Sequence, residues 1–159
     1  MSDTPSLADL HARLCLLEAE RAVLATLYRY GHTIDYGRDA DWLDCFTEDA
    51  VYHLHYPRGN GEERRFVTPD ERADFVAAHT RAPDKWHKHI LVEPVITVSG
   101  DRKSAHVESY FLRVDDAPAT RFIMAQGRYV DELRLCDDGK WRFISRRCEI
   151  ESVEPADAA

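Results

Sequence analysis

Asp35 is the first residue whose position asks for a chemical explanation. With about 100° between successive helical residues, Leu24, Leu27, Tyr28, Gly31 and Ile34 share one apolar arc. Asp35 falls inside that arc, and Tyr30 sits near its rim. A carboxylate on a core-facing stripe is costly unless something donates to it or pairs with it. The C-terminal end of a helix disfavours an anion further, so the carboxyl is expected to titrate above its ordinary range. The chemistry this suggests is a carboxylate aimed into a cavity to move a proton or to orient a base. The plainer alternative is a helix frayed by residue 34, with Asp35 a solvated end.

Histidines are the second feature. His53 and His55 form one H-x-H pair and His87 and His89 another, each placing two imidazoles on one strand face. Neighbouring strands with those faces inward could hold a metal in a site with an open position. A single histidine bonded to Asp35 makes a simpler general base from residues distant in sequence. On the last strand, Arg142 and Arg146 share one face while Arg147 lies on the other, so parity alone does not say which arginine enters a pocket. Tyr28, Tyr36, Tyr52, Tyr110 and Tyr129 read as wall residues. No P-loop, G-x-S-x-G, G-x-G-x-x-G or H-E-x-x-H motif occurs, which removes the commonest nucleotide and hydrolase chemistries.

These groups must be positioned by two kinds of element. Leucines at three- and four-residue spacing predict one long helix over about residues 6–36, with Gly37 as a C-cap. Asp39 or Asp41 is expected to cap a short second helix carrying Trp42, and Ala50 to Tyr56 alternates as a strand. A polar loop precedes a third helix that starts at Thr68-Pro69-Asp70-Glu71 and ends near His79. From residue 87 the period becomes two, giving four strands over about 87–98, 103–114, 120–135 and 140–152. Short turns, among them Asp115-Asp116-Ala117-Pro118, join them into an antiparallel meander. Helices followed by sheet give a single α+β domain over residues 1–152, with an acidic, disordered tail over 153–159. The net charge of −8 argues against a nucleic-acid partner. No stretch approaches the roughly 20 apolar residues of a membrane helix. No signal peptide opens the chain and its four cysteines are isolated, so the cytoplasm is the expected compartment.

The run Leu27-Tyr28-Arg29-Tyr30-Gly31-His32-Thr33-Ile34-Asp35 and the segment from Trp42 to Asp49 resemble the SnoaL-like branch of the nuclear transport factor 2-like superfamily. So do His89 at the start of a strand, the Gly100-Asp101 turn, Glu108-Ser109-Tyr110 and Trp141-Arg142-Phe143, over about residues 18–150. The resemblance implies a cone, a curved antiparallel sheet of five to six strands wrapped around the N-terminal helices, with a central pocket. It also implies a cofactor-independent dehydratase, or another lyase or isomerase, acting on a small hydrophobic cyclic or aromatic substrate, as in scytalone dehydratase and the bile-acid dehydratases. By that resemblance Asp35 orients His89 as base, Tyr30 is a polar helper, and Arg146 stands near the leaving group. Tyr28, Trp42, Tyr52, His87 and Tyr110 would line the pocket, with His87 a second candidate for the base. No cofactor or metal is implied, and a homodimer or homotrimer is expected. The same fold serves non-catalytic subunits such as those of ring-hydroxylating dioxygenases. That alternative stays open, as does a metal enzyme built on the H-x-H pairs.

Overall fold

The computed structural model describes residues 4–58, 61–117 and 120–152; the expected tail over 153–159 lies outside them. Helix α1 (Leu7–Asp35) opens with a reciprocal cap, in which Ser6 Oγ accepts from the Asp9 amide and the Asp9 carboxylate accepts from the Ser6 amide. Only its second half is a core helix. Val23, Leu27, Tyr30, Gly31 and Ile34 are buried, whereas Leu7, Leu10, Leu14 and Leu17 stay exposed. Periodicity foretells a face, not whether anything covers it. Helix α2 (Asp39–Leu43) is a single turn capped at Arg38, without the aspartate cap expected of it, and it buries Trp42. Helix α3 (Pro69–Ala78) starts as its sequence dictates, with Thr68 and Glu71 forming the capping box. Its Arg72 is buried and donates to the carbonyls of Thr47, Glu48 and Ala50, which ties the helix to the first strand.

Six strands follow: β1 (Phe46–His55), β2 (Glu63–Phe66), β3 (His87–Val98), β4 (Ser104–Ala117), β5 (Thr120–Leu135) and β6 (Trp141–Ile150). They form one curved, unclosed sheet in the order β2-β1-β6-β5-β4-β3, and β3 to β6 are the expected meander. The rest of the sheet departs from expectation in two ways. Strand β2 comes from the stretch read as a polar loop, because an exposed edge strand carries no apolar alternation to reveal it. Strand β1 joins β6 in parallel, so the sheet is antiparallel except at this pair.

Two local differences matter for the site. Strand β4 runs on through Ala117, which makes Asp115 a buried strand residue and the register partner of His87 rather than part of a turn. In β3, a bulge between Val92 and Val95, with Glu93 at φ 48°, reverses which face the side chains take. Ile90 and Val92 therefore share the outer face with Tyr110, while Ile96 pairs with buried Val107 on the inner one. Read without the bulge, Ile90, Val92, Ile96 and Val98 would all share one side.

The core is largely aromatic. Tyr30, Trp42, Phe46, Tyr52, Tyr129 and Phe143 pack with ring centroids as close as 4.7 Å, in the offset and edge-on arrangements that the ring quadrupole favours. Among the described residues, no helix is long and apolar enough to cross a membrane.

Candidate active site

The last residue of α1 meets the first turn of β3. Asp35 is buried, and both its oxygens serve His89: the Nδ1–H donates to Oδ1 at 2.6 Å and the backbone N–H to Oδ2 at 3.1 Å. A carboxylate only accepts, so the ring proton sits on Nδ1 and the lone pair on Nε2. One turn back, Gly31 lets the helix close on the strand: a Cβ there would lie 3.1 Å from the His89 carbonyl oxygen. Burial alone would raise the Asp35 carboxyl, but the His89 bonds and nearby His87 hold it below its ordinary 3.8. The expected upward shift is thus reversed. The helix end is an unfavourable place for an anion, and two N–H donors outweigh it.

Two more imidazoles complete the cluster. The His87 ring is fully enclosed. Its Nε2 lies 3.4 Å from Asp35 Oδ1 but outside hydrogen-bonding geometry, and neither ring nitrogen has a hydrogen-bond partner among the described residues. Burial, then Arg113 and His89, push it down to about 4. His79, at the end of α3, sits with its ring 5.2 Å from that of His87 and 5.6 Å from that of His89. Burial, then His89, lowers it to about 4 as well. Both are therefore neutral near pH 7.

The remaining predicted residues do not gather here. Tyr30, Trp42 and Tyr52 belong to the packed core, with the Tyr30 and Tyr52 hydroxyls 3.0 Å apart. Arg146 is 1% exposed, bonded to Asp131 at 2.9 Å, and its guanidinium lies 3.6 to 4.6 Å from the centroids of the Tyr129, Tyr30 and Phe143 rings. These groups fill the core between α1 and the sheet, and open space lies beside them. There a cavity of about 580 Å³ opens between β2, α3 and β4, lined by Phe66, Phe75, His79 and Arg113 among others. Tyr28 is half exposed beside a groove between α1 and β3. Tyr110 is 58% exposed on the outer face, so its assignment to the pocket is corrected.

The four-histidine metal site is also ruled out by topology. Strands β6, β5 and β4 lie between β1 and β3, and His53 and His55 face away from Tyr52 and Leu54, beside Glu63. Asp35, His87 and His89 do bring three ligand-type atoms within 4.8 Å. The 2.6 Å between Asp35 Oδ1 and His89 Nδ1 is a hydrogen-bond length, whereas two ligands on one zinc ion stand about 3.3 Å apart. Sequence reasoning missed His79, Arg113 and Asp115. Arg113 lay within the strand expected over 103–114 and needed only the register that sets it opposite His89, while carrying β4 past residue 114 would have added Asp115 opposite His87.

Comparison with known proteins agrees with this architecture. A 1.16 Å structure of an NTF2-like protein with a cystatin-like fold from Novosphingobium aromaticivorans superposes with a TM-score of 0.78 at 20% identity, covering 99% of this chain and 94% of that one. The beta subunit assigned to an aromatic-ring-hydroxylating dioxygenase of the same organism gives 0.72 at 24% identity, over 89% and 95%. A protein assigned there as a scytalone dehydratase gives 0.67 at 17%, over 94% and 99%. At these identities the likeness is one of fold. No curated protein matches. The SnoaL-like domain family matches residues 16–147, most of the chain and all of the elements that build the histidine cluster, and the protein belongs to that family.

Proposed function

We propose that the protein is a cofactor-independent lyase or isomerase, a dehydratase in which His89 is the general base, acting on a small hydrophobic cyclic or aromatic substrate. The observation that carries this reading is the 2.6 Å bond from His89 Nδ1 to a buried Asp35 that also holds the residue's own backbone N–H. The carboxylate fixes the tautomer, leaves the lone pair on Nε2, and stabilises the imidazolium formed once a proton is taken. His79 and His87 surround the pair with neutral rings, which exclude water without competing for the charge.

The test is a screen of cyclic β-hydroxy ketones for loss of water, followed by Asp35→Asn and His89→Ala on whichever substrate turns over. Each substitution is expected to cost ~10²–10⁴-fold, and the double substitution little more than one alone, because the pair acts as a unit. Full activity in the double variant sinks the assignment. A second reading, a non-catalytic assembly subunit, draws support from the apolar residues exposed on the outer sheet face, such as Ile90, Val95 and Ile123. It predicts a stable complex with a larger chain and no turnover in the screen.

A further inference from the structure

The reading of His89 as base leaves the group that would stabilise negative charge on the substrate unassigned, since Arg146 is spent on Asp131 beneath three rings. Another arginine stands where that role is needed. Arg113 is the register partner of His89 across β3 and β4, so the two side chains leave the same sheet face as direct neighbours. Its Nε and Nη2 donate to Asp115 at 2.8 and 3.1 Å, and the enclosed Asp115 is held from its other side by Lys85 at 3.2 Å. The fork is thereby aimed, while the N–H groups of Nη1 take no part in the pair. The same side chain lines the 580 Å³ cavity and keeps 19% exposure.

The cavity has the other features of a substrate chamber. Phe66 and Phe75, with centroids 4.9 Å apart, give it an aromatic wall. His79 lines it as well, with its ring 5.6 Å from that of His89. Two carboxylates also line it, but Glu71 is occupied by the amides of Val67 and Thr68. That leaves Asp74 against Arg64, Arg65 and Arg113.

We propose that Arg113 receives the substrate's oxygen, so that the cavity takes a cyclic or aromatic carbonyl compound that loses a proton from the carbon beside its carbonyl. This deepens the base assignment and rests on it. His89 Nε2 takes the α-proton, the C–H pair becomes a carbon–carbon π bond, and the carbonyl π pair moves onto oxygen as an enolate facing the guanidinium. The enolate then collapses and the π bond shifts to the α and β carbons. The β-hydroxyl leaves with the proton held on His89, giving water, an enone and the neutral histidine.

Two probes test the idea on the intact chain. The first is binding of 2-naphthoate, a flat anion, against 2-naphthamide, its neutral isostere. The second is exchange of the α-protons of 2-tetralone in heavy water, followed by NMR. The wild type is expected to prefer naphthoate by about tenfold, the scale of one charge-assisted hydrogen bond. Arg113→Gln should lose that preference and slow exchange about 10²-fold, and Arg113→Lys should recover part of both. The lysine variant and a circular dichroism spectrum guard against simple misfolding. No naphthoate preference in the wild type, or a preference and an exchange rate that survive Arg113→Gln, overturns the proposal. If instead Asp35→Asn exchanges normally while Arg113→Gln still abolishes the preference, the base assignment fails and Arg113 remains the binding group.

Discussion

His87 offers a quantitative test of how the histidine cluster is held. Its enclosed ring faces Asp35, His79, His89, Arg113 and Asp115, and it titrates at about 4 against an ordinary 6.5. A lowered histidine favours the folded state only while the unfolded chain is also neutral. The stability it permits is therefore complete above about pH 6.5 and is lost as the pH falls toward 4. Between about pH 7.5 and about pH 5, the unfolded chain takes up nearly one proton at this residue and the folded chain about a tenth of one. The integrated difference is about 2 kcal/mol. His79 has the same shift and adds up to about as much again, less whatever the two rings share by being in contact. Asp35 contributes below this window, since its ordinary value is 3.8. In His87→Leu, a side chain of similar bulk removes two buried nitrogens that have no hydrogen-bond partner among the described residues. Urea unfolding of both proteins at the two pH values is the assay. The wild type is expected to lose about 2 kcal/mol more than the variant on acidification. An identical loss in both would mean that the His87 ring is not enclosed and neutral as described.

The buried pair in the core predicts an asymmetry: Arg146→Met should cost about 3–5 kcal/mol by stranding Asp131, and adding Asp131→Leu should restore most of it, as read by guanidinium midpoints. Gly31→Ala pushes a methyl toward the His89 carbonyl, so turnover should fall about tenfold while the melting temperature moves only a few degrees. Elemental analysis of purified protein should find less than about 0.2 equivalents of any transition metal, given the hydrogen-bond spacing of Asp35 and His89. Stoichiometric zinc lost on His87→Ala would reverse that conclusion.

That Asp35 meets a histidine was legible because a carboxylate on an apolar arc demands a partner, whereas the choice of His89 over His87 came from the resemblance to the SnoaL-like family. The rest of the site was harder for identifiable reasons. Arg146 and Arg147 point to opposite faces, and nothing in the alternation of β6 says that Asp131 on β5 waits opposite Arg146. Asp115 and Asp116 look like turn residues because aspartates favour turns, and the pairing that extends β4 past them is made with a strand whose register is set elsewhere. The parallel join of β1 to β6 pairs residues more than 90 positions apart, such as Tyr52 with Arg146, beyond the reach of local pattern, while β2 is an edge strand without apolar alternation. The exposed leucines Leu7, Leu10, Leu14 and Leu17 of α1 show the converse, a strong pattern that the described residues leave uncovered.

The bulge at Glu93 and Pro94 has a further consequence for how molecules meet one another. Strand β3 is the last in the sheet, and an open edge of backbone donors and acceptors invites a strand from a neighbouring chain, the first step of aggregation. Pro94 has no N–H to offer, and the left-handed turn at Glu93 breaks the straight row on either side of it. Lys88 and Glu93 add charge along the same strand, a further discouragement to edge pairing. A strand that carries the clustered His87 and His89 at one end is thus kept from serving as a template along its length.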